Sequence, residues 1–271
     1  MIEFQPSSPE WRDFSSQIAS FTLGACVPLY WHDGALGWPK TFRGGSSFAI
    51  RFGSTLVGIT AAHVVRQFEH AAKETPTVVC QLRLHRFDLM RAIIDIDDDL
   101  DVATFAITDD EWRHIGGNAV DCRNAWPPPT PDEGRAINLV GFPENIRVVR
   151  SNMSAEFAAY GAFATVEAVT ELDIIVTFDP ARDRPMASAR QVPPLGYNMS
   201  GCSGGPAFTQ GLRNGLHRWF AVGILIAGPR DGSTGDAATF DMIRIRRIDR
   251  INADGTIRRP DGTGWLPRVG M

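Results

Sequence analysis

The stretch Ser47-Phe-Ala-Ile-Arg-Phe-Gly-Ser-Thr-Leu-Val-Gly-Ile-Thr-Ala-Ala-His-Val-Val65 decides the reading of this chain. Two short apolar runs, Ser47–Phe52 and Thr55–Thr60, flank Gly53-Ser54, a pair suited to a two-residue hairpin turn. The same texture continues outward. Strands are expected near residues 77–84, 91–96 and 102–107, then near 136–141, 146–150, 162–169, 172–178, 218–227 and 239–244. Gly (26) and Pro (18) punctuate these runs, and many turns between short apolar segments point to an all-β chain. Helical spacing is confined to a few places. Trp11, Phe14, Ile18 and Phe21 fit a short amphipathic helix packed on the outside, residues 109–115 fit one helical turn, and Ile245, Ile248 and Ile251 predict a C-terminal helix over 243–252.

The clearest boundary is Trp126-Pro-Pro-Pro-Thr-Pro-Asp-Glu-Gly134. Proline lacks the N–H that a sheet interior needs, so this segment is a stiff connector between two strand-rich stretches. The expected organisation is an N-terminal segment over 1–43, a first β unit over 44–125, the linker over 126–134, a second β unit over 135–242, and a helix and tail over 243–271.

At 271 residues the chain can bury enough apolar surface to need no disulfide or metal staple. A net charge of −4 argues against a general attraction to nucleic acid. The late arginines (244, 246, 247, 250, 258, 259) are broken up by Asp249, Asp254 and Asp261, as on a solvated face. The four cysteines (26, 80, 122, 202) form no CxxC pair, and the histidines at 32, 70, 85, 114 and 217 have no ligand spacing, so neither metal nor cofactor is expected. No apolar run reaches the ~20 residues of a membrane span. Met-Ile-Glu-Phe-Gln-Pro lacks the basic and apolar regions of a secretion signal, so the expected location is cytoplasmic, with the cysteines as thiols.

Three local sequences carry chemistry. In Ile59-Thr-Ala-Ala-His-Val-Val65 two small residues let the backbone pack tightly beneath the imidazole; a satisfied core histidine would read the same way. Asp101 opens the strand Val102-Ala-Thr-Phe105 and could hold an imidazole in one tautomer, although Asp95 and Asp97–Asp99 make a solvated acidic turn an alternative. In Asn198-Met-Ser-Gly-Cys-Ser-Gly-Gly-Pro206 a serine sits among glycines, which admit positive φ and close approach of a substrate backbone. The amides of Gly201 and Ser203 can there converge on one spot, as an oxyanion site needs; one such donor is worth about 3–4 kcal/mol. The order His, Asp, Ser, divided by the proline linker, suits a cleft between two β units.

Together these motifs resemble the chymotrypsin-like serine peptidases, nearest in texture to the bacterial and intracellular branches. Thr60-Ala-Ala-His63 resembles the family's histidine motif, Asp101-Val-Ala its Asp-x-Ala motif, and Gly201-Cys-Ser-Gly-Gly-Pro206 its nucleophile signature with one change. Leu139-Val-Gly-Phe-Pro143 and Gly223-Ile-Leu-Ile-Ala-Gly228 resemble strands of its second barrel. The resemblance covers about residues 44–252. It implies two six-stranded antiparallel β barrels, and a catalytic triad of His63, Asp101 and Ser203 with Gly201 and Ser203 as the oxyanion hole. It further implies a protein or peptide substrate and no cofactor. It places Tyr197 at the pocket base, with Ser200, Ile226 and Gly228 lining a neutral, partly apolar pocket. Cys202 stands where zymogen-activated relatives carry Asp, so the loop must be held by other means or switched by a regulatory partner. Viral cysteine peptidases of this fold place Cys directly before Gly-Gly; here that place is Ser203, so Ser203 rather than Cys202 is the expected nucleophile. The rival readings are a catalytically silent binding module of the same fold and an esterase-type acyl hydrolase.

Overall fold

The computed structural model describes residues 17, 20–32, 42–122, 126–151, 154–178, 199–213, 216–227 and 241–260. Its first half contains β1 (Cys26–His32), β2 (Phe42–Phe52), β3 (Thr55–Thr60), helix α1 (Ala62–Glu74), β4 (Cys80–Leu82), β5 (His85–Arg86), α2 (Leu89–Ala92), β6 (Ile93–Asp97), β7 (Val102–Ala106), α3 (Asp109–Ile115) and β8 (Val120–Asp121). These strands form one eight-stranded sheet in the order β5-β4-β1-β2-β3-β7-β6, with β8 pairing parallel to β2. The second half contains β9 (Ala136–Gly141), β10 (Val148–Ser151), β11 (Ser154–Glu156), β12 (Tyr160–Val169), β13 (Asp173–Phe178), β14 (Pro206–Arg213), β15 (Leu216–Ala227) and β16 (Asp241–Arg247). Six of them close an antiparallel barrel, β12-β13-β16-β15-β14-β9. The chain is thus mostly β with one closed barrel, while closure of the first sheet is not seen among the described pairings.

The opening hairpin forms as the sequence predicts. Phe52 pairs with Thr55 across the turn, and Gly53 takes φ 60°. Strand alternation then sends side chains to two different cores. Phe48, Ile50, Val57 and Ile59 face a core that also contains Val140, Phe142, Phe208, Ile224, Ile248 and Ile251 from the second half. Ala49, Leu56, Ala103 and Phe105 face the other side, beneath α1. A third core fills the closed barrel around Ile137, Leu139, Ile174 and Ile245.

Sequence reading did not anticipate α1, β1 or β14. The apolar positions of α1 form one face, Val64, Val65 and Phe68, with Phe68 edge-on to Trp31 at 5.4 Å. Its outer face carries the i,i+3 and i,i+4 pairs Arg66–Glu69 and Glu69–Lys73. The strand expected near 77–84 shortens to Cys80–Leu82. Helix α3 matches its expected span, with a capping box between Thr108 and Glu111.

The C-terminal helix expected over 243–252 is not there. Residues 241–247 are β16, which completes the barrel between β13 and β15. The period of two in Ile243-Arg244-Ile245, buried-exposed-buried, overrides the period of three in the isoleucines. Ile248 and Ile251 instead enter the shared core from a turn closed by Ile251 N–H to Ile248 C=O, and Ile251 bridges to Ile257. The arginines of this region are mostly paired: Arg246 with Asp173 (3.2 Å), Arg247 with Asp249 (2.6 Å), Arg250 with Glu171, and Arg259 with Asp95 and Asp97. The helix expected over 11–21 falls mostly outside the described residues. Residues 20–25 are helical, and Phe21 lies edge-on to Phe208 at 6.0 Å. In the proline segment Trp126 stacks edge-on to Phe52 at 4.8 Å and donates its indole N–H to the Ile251 carbonyl at 3.1 Å.

Because the two halves share one core, they should unfold together. Ile224 is fully buried in it. Ile224→Ala should cost about 2–5 kcal/mol in chemical denaturation and leave one transition. Two separated transitions would contradict the shared core.

Candidate functional site

His63 is the second residue of α1, which begins after Ala61 with no side-chain cap and no acidic residue in its first turn. The leading amides of a helix need acceptors. Asp101 supplies one from the turn between β6 and β7: its Oδ1 accepts the His63 backbone N–H at 2.9 Å. The same carboxylate reaches the imidazole, with Nδ1 at 2.8 Å from Oδ2 and 3.1 Å from Oδ1. One acid therefore caps the helix and fixes the ring. A neutral imidazole donating from Nδ1 keeps Nε2 as an acceptor. Asp101 adopts φ 54°, a left-handed conformation that Asp tolerates better than most residues. The turn is anchored by Leu100, buried, whose N–H binds Asp97 at 2.8 Å. Both side chains keep solvent access, 37% for His63 and 22% for Asp101.

Residues 199–205 form two consecutive turns. Cys202 N–H binds Met199 C=O at 3.0 Å, and Gly205 N–H binds Cys202 C=O at 2.9 Å. The third position of each turn is a glycine with positive φ, Gly201 at 89° and Gly204 at 86°, the type II pattern. Ser203 occupies a corner of the second turn and is half-buried. Among the described residues the amides of Cys202, Gly204 and Gly205 all have acceptors, whereas those of Gly201 and Ser203 have none.

The turn pair is gripped from both halves. Gly204 N–H and Gly205 C=O bond to Leu225 of β15, at 2.8 and 2.9 Å. From β2, Ser46 donates its backbone N–H to Ser203 C=O and its hydroxyl to Gly201 C=O, both at 2.8 Å. Glu144 N–H binds Ser200 C=O at 2.9 Å, and its carboxylate accepts the Ser200 hydroxyl at 3.0 Å. The grip brings Ser203 beside the start of α1. A Cβ on Gly204 would lie 3.0 Å from the Ala61 nitrogen, and one on Gly45 would lie 2.7 Å from both the Ser203 carbonyl oxygen and Val64.

The expected site residues thus divide. His63 and Asp101 are in direct contact. Ser203 lies on the facing turn, but its hydroxyl is not hydrogen-bonded to His63 Nε2 or to any other described residue. Gly201 and Ser203 present unengaged amides. Ser200 is tied to Glu144, and Ile226 is buried in the shared core. Tyr197 and Gly228 lie outside the described residues. Sequence reading missed Ser46 and Glu144. A signal existed for the first, since Gly44-Gly45 directly before a buried strand marks a close backbone approach.

Cys202 is buried, and burial, followed by the nearby Cys26 and Glu144, pushes its thiol well up. That suppresses the reactive thiolate. All four cysteines are buried and unbridged. Among the described residues no cluster of His, Cys, Asp or Glu could hold a metal ion, and no helix is long and apolar enough to cross a membrane. Arg246 reaches this region from β16: burial draws its guanidinium pKa down, while Asp173, and more weakly Asp101 and Asp97, oppose that.

Compared with models of known protein families the chain matches none, and no curated protein sequence matches it.

Thiol chemistry checks this burial. Ellman's reagent should find almost no reactive thiol in the native chain and four after denaturation; rapid native reaction at Cys202 would contradict it. Burial also pushes Cys26 and Cys122 from 9.0 up to about 12. The unfolded chain therefore loses these protons first, so stability present below about pH 9 falls as pH rises toward 12. The expected slope is roughly 1.4 kcal/mol per thiol per pH unit. Denaturation midpoints at pH 8 and pH 10 measure it, and Cys122→Ala should flatten the decline.

Proposed function

We propose that this chain is a serine endopeptidase of the chymotrypsin-like type, with two β units forming the cleft and His63, Asp101 and Ser203 as its triad. The observation that carries the reading is the doubly used carboxylate: Asp101 holds both the backbone and the ring of His63. The glycine-flanked Ser203 docks against the start of the same helix.

In the proposed reaction Ser203 Oγ attacks the scissile carbonyl and its proton passes to His63 Nε2. Asp101 stabilises the resulting imidazolium through Nδ1–H. The oxyanion is held by the amides of Gly201 and Ser203. Collapse breaks the C–N bond, and the leaving amine takes the proton from His63. Water, deprotonated by the same imidazole, then hydrolyses the acyl-enzyme and returns the proton to Ser203. No cofactor takes part. Substrates are proteins or peptides in the cytoplasm, with a neutral side chain entering the pocket, and a regulatory partner protein acts on the loop that carries Cys202 in place of Asp.

A fluorophosphonate probe tests the reading. It should phosphonylate Ser203 in the wild type and leave Ser203→Ala unmodified. Asp101→Asn should slow labelling by on the order of 10³–10⁴-fold with the fold retained. Absence of wild-type labelling would leave a binding module of this fold. Labelling with turnover of esters but no peptide would make the chain an acyl hydrolase.

A further inference from the structure

Ser46 is a fully buried serine on β2 in which every polar group is used. The β2–β3 register ends at Phe48↔Ile59, so beyond it the edge of β2 that faced β3 is open. On its other side Ser46 stands opposite Pro28, which has no N–H to give. The Ser46 main chain therefore bonds elsewhere: N–H to Ser203 C=O at 2.8 Å, and C=O from the Thr60 hydroxyl at 2.8 Å. Its side chain both donates to Gly201 C=O at 2.8 Å and accepts the Phe142 N–H at 2.9 Å. The two carbonyls it binds belong to the two residues whose amides are unengaged among the described residues, each carbonyl lying in the peptide unit that follows that amide's own.

We infer that Ser46 is a positioning residue for the oxyanion site: by fixing the carbonyls of Gly201 and Ser203 it anchors the peptide units that follow these residues, so that the amides of the units preceding them stay aimed at one point outside the turn. A peptide unit of the 199–205 turn pair can otherwise flip, exchanging an amide for a carbonyl at that point, and a carbonyl there repels the oxyanion. The carbonyls opposite these two amides are held directly, Ser200 C=O by Glu144 N–H and Cys202 C=O by Gly205 N–H, both at 2.9 Å. Ser46, from the first half of the chain, holds the next peptide units, so that Gly201 and Ser203 cannot turn to accommodate a flip. The Ser46 clamp serves where a zymogen-type relative would use the Asp that Cys202 replaces. The inference rests on the peptidase reading, since it assigns a purpose to those amides.

Saturation kinetics of a fluorophosphonate on the full chain test it. In Ser46→Ala the maximal rate of phosphonylation should fall about 10²-fold, the size of one lost oxyanion donor, while the half-saturating probe concentration changes little. A merely loosened fold would instead lower the fraction of chains labelled and leave the rate of the remainder intact. Ser47→Ala is the control, because the hydroxyl of this equally buried neighbour bonds, among the described residues, only to Val27 C=O at 3.3 Å; its maximal rate should stay within about threefold of wild type. Should Ser46→Ala not fold, Ser46→Cys keeps the volume with a weak hydrogen-bonding group and should slow the maximal rate at least tenfold. An undiminished rate in the folded Ser46 variant, or an equal loss in Ser47→Ala, overturns the assignment while a labelled wild type keeps the peptidase reading. An unlabelled wild type overturns both.

Discussion

The docking of one pair of tight turns onto the open edge of β2 governs the rest of this architecture. A β-strand left unpaired presents N–H and C=O groups that must find partners. In β2 that need arises at Ser46, past the end of β3, and it is met by the turn pair from the other half. Leu225 of β15 holds the same turns from behind. Backbone from both halves therefore defines where Ser203 stands, independently of its own side chain. Glycines at 45, 201 and 204 are required because a Cβ at any of them would collide with the opposing backbone.

A second constraint acts on the imidazole. Helix α1 starts without a cap of its own, and the missing acceptor comes from Asp101, at the close of the acidic turn after β6. Orientation of His63 is thus bound to the start of its helix. Both features lie beside the core that the two halves share, in which Phe48 and Ile59 of the first half meet Phe142, Ile224 and Ile248 of the second. The proposed chemistry depends on that shared packing to keep the turn and the helix in register.

Much of the fold was legible because strands such as Ala136–Gly141 and the 47–60 hairpin announce themselves locally. Reading failed where the deciding contacts are distant. Helix α1 hides in Ala-Ala-His-Val-Val, whose small and β-branched residues look strand-like until Trp31 is known to lie beneath Phe68. Isoleucines 245, 248 and 251 offered helical spacing, yet closing the barrel between β13 and β15 required a strand there. Among the site residues His63, Asp101 and Ser203 stand out by type and by neighbouring glycines or alanines. Ser46 is marked locally only by the Gly44-Gly45 pair before it, which signals a close backbone approach but not its role, because its partners at Phe142, Gly201 and Ser203 lie far along the chain.

The central claim is that His63 Nε2 and Ser203 Oγ meet at one substrate carbonyl. A peptidyl chloromethyl ketone tests this most directly, because its carbonyl must be engaged by the serine for its methylene to alkylate the imidazole. Peptide mapping after treatment should find His63 alkylated in the wild type, with the reaction lost in Ser203→Ala. An unmodified His63, or one alkylated equally fast without Ser203, would contradict the account.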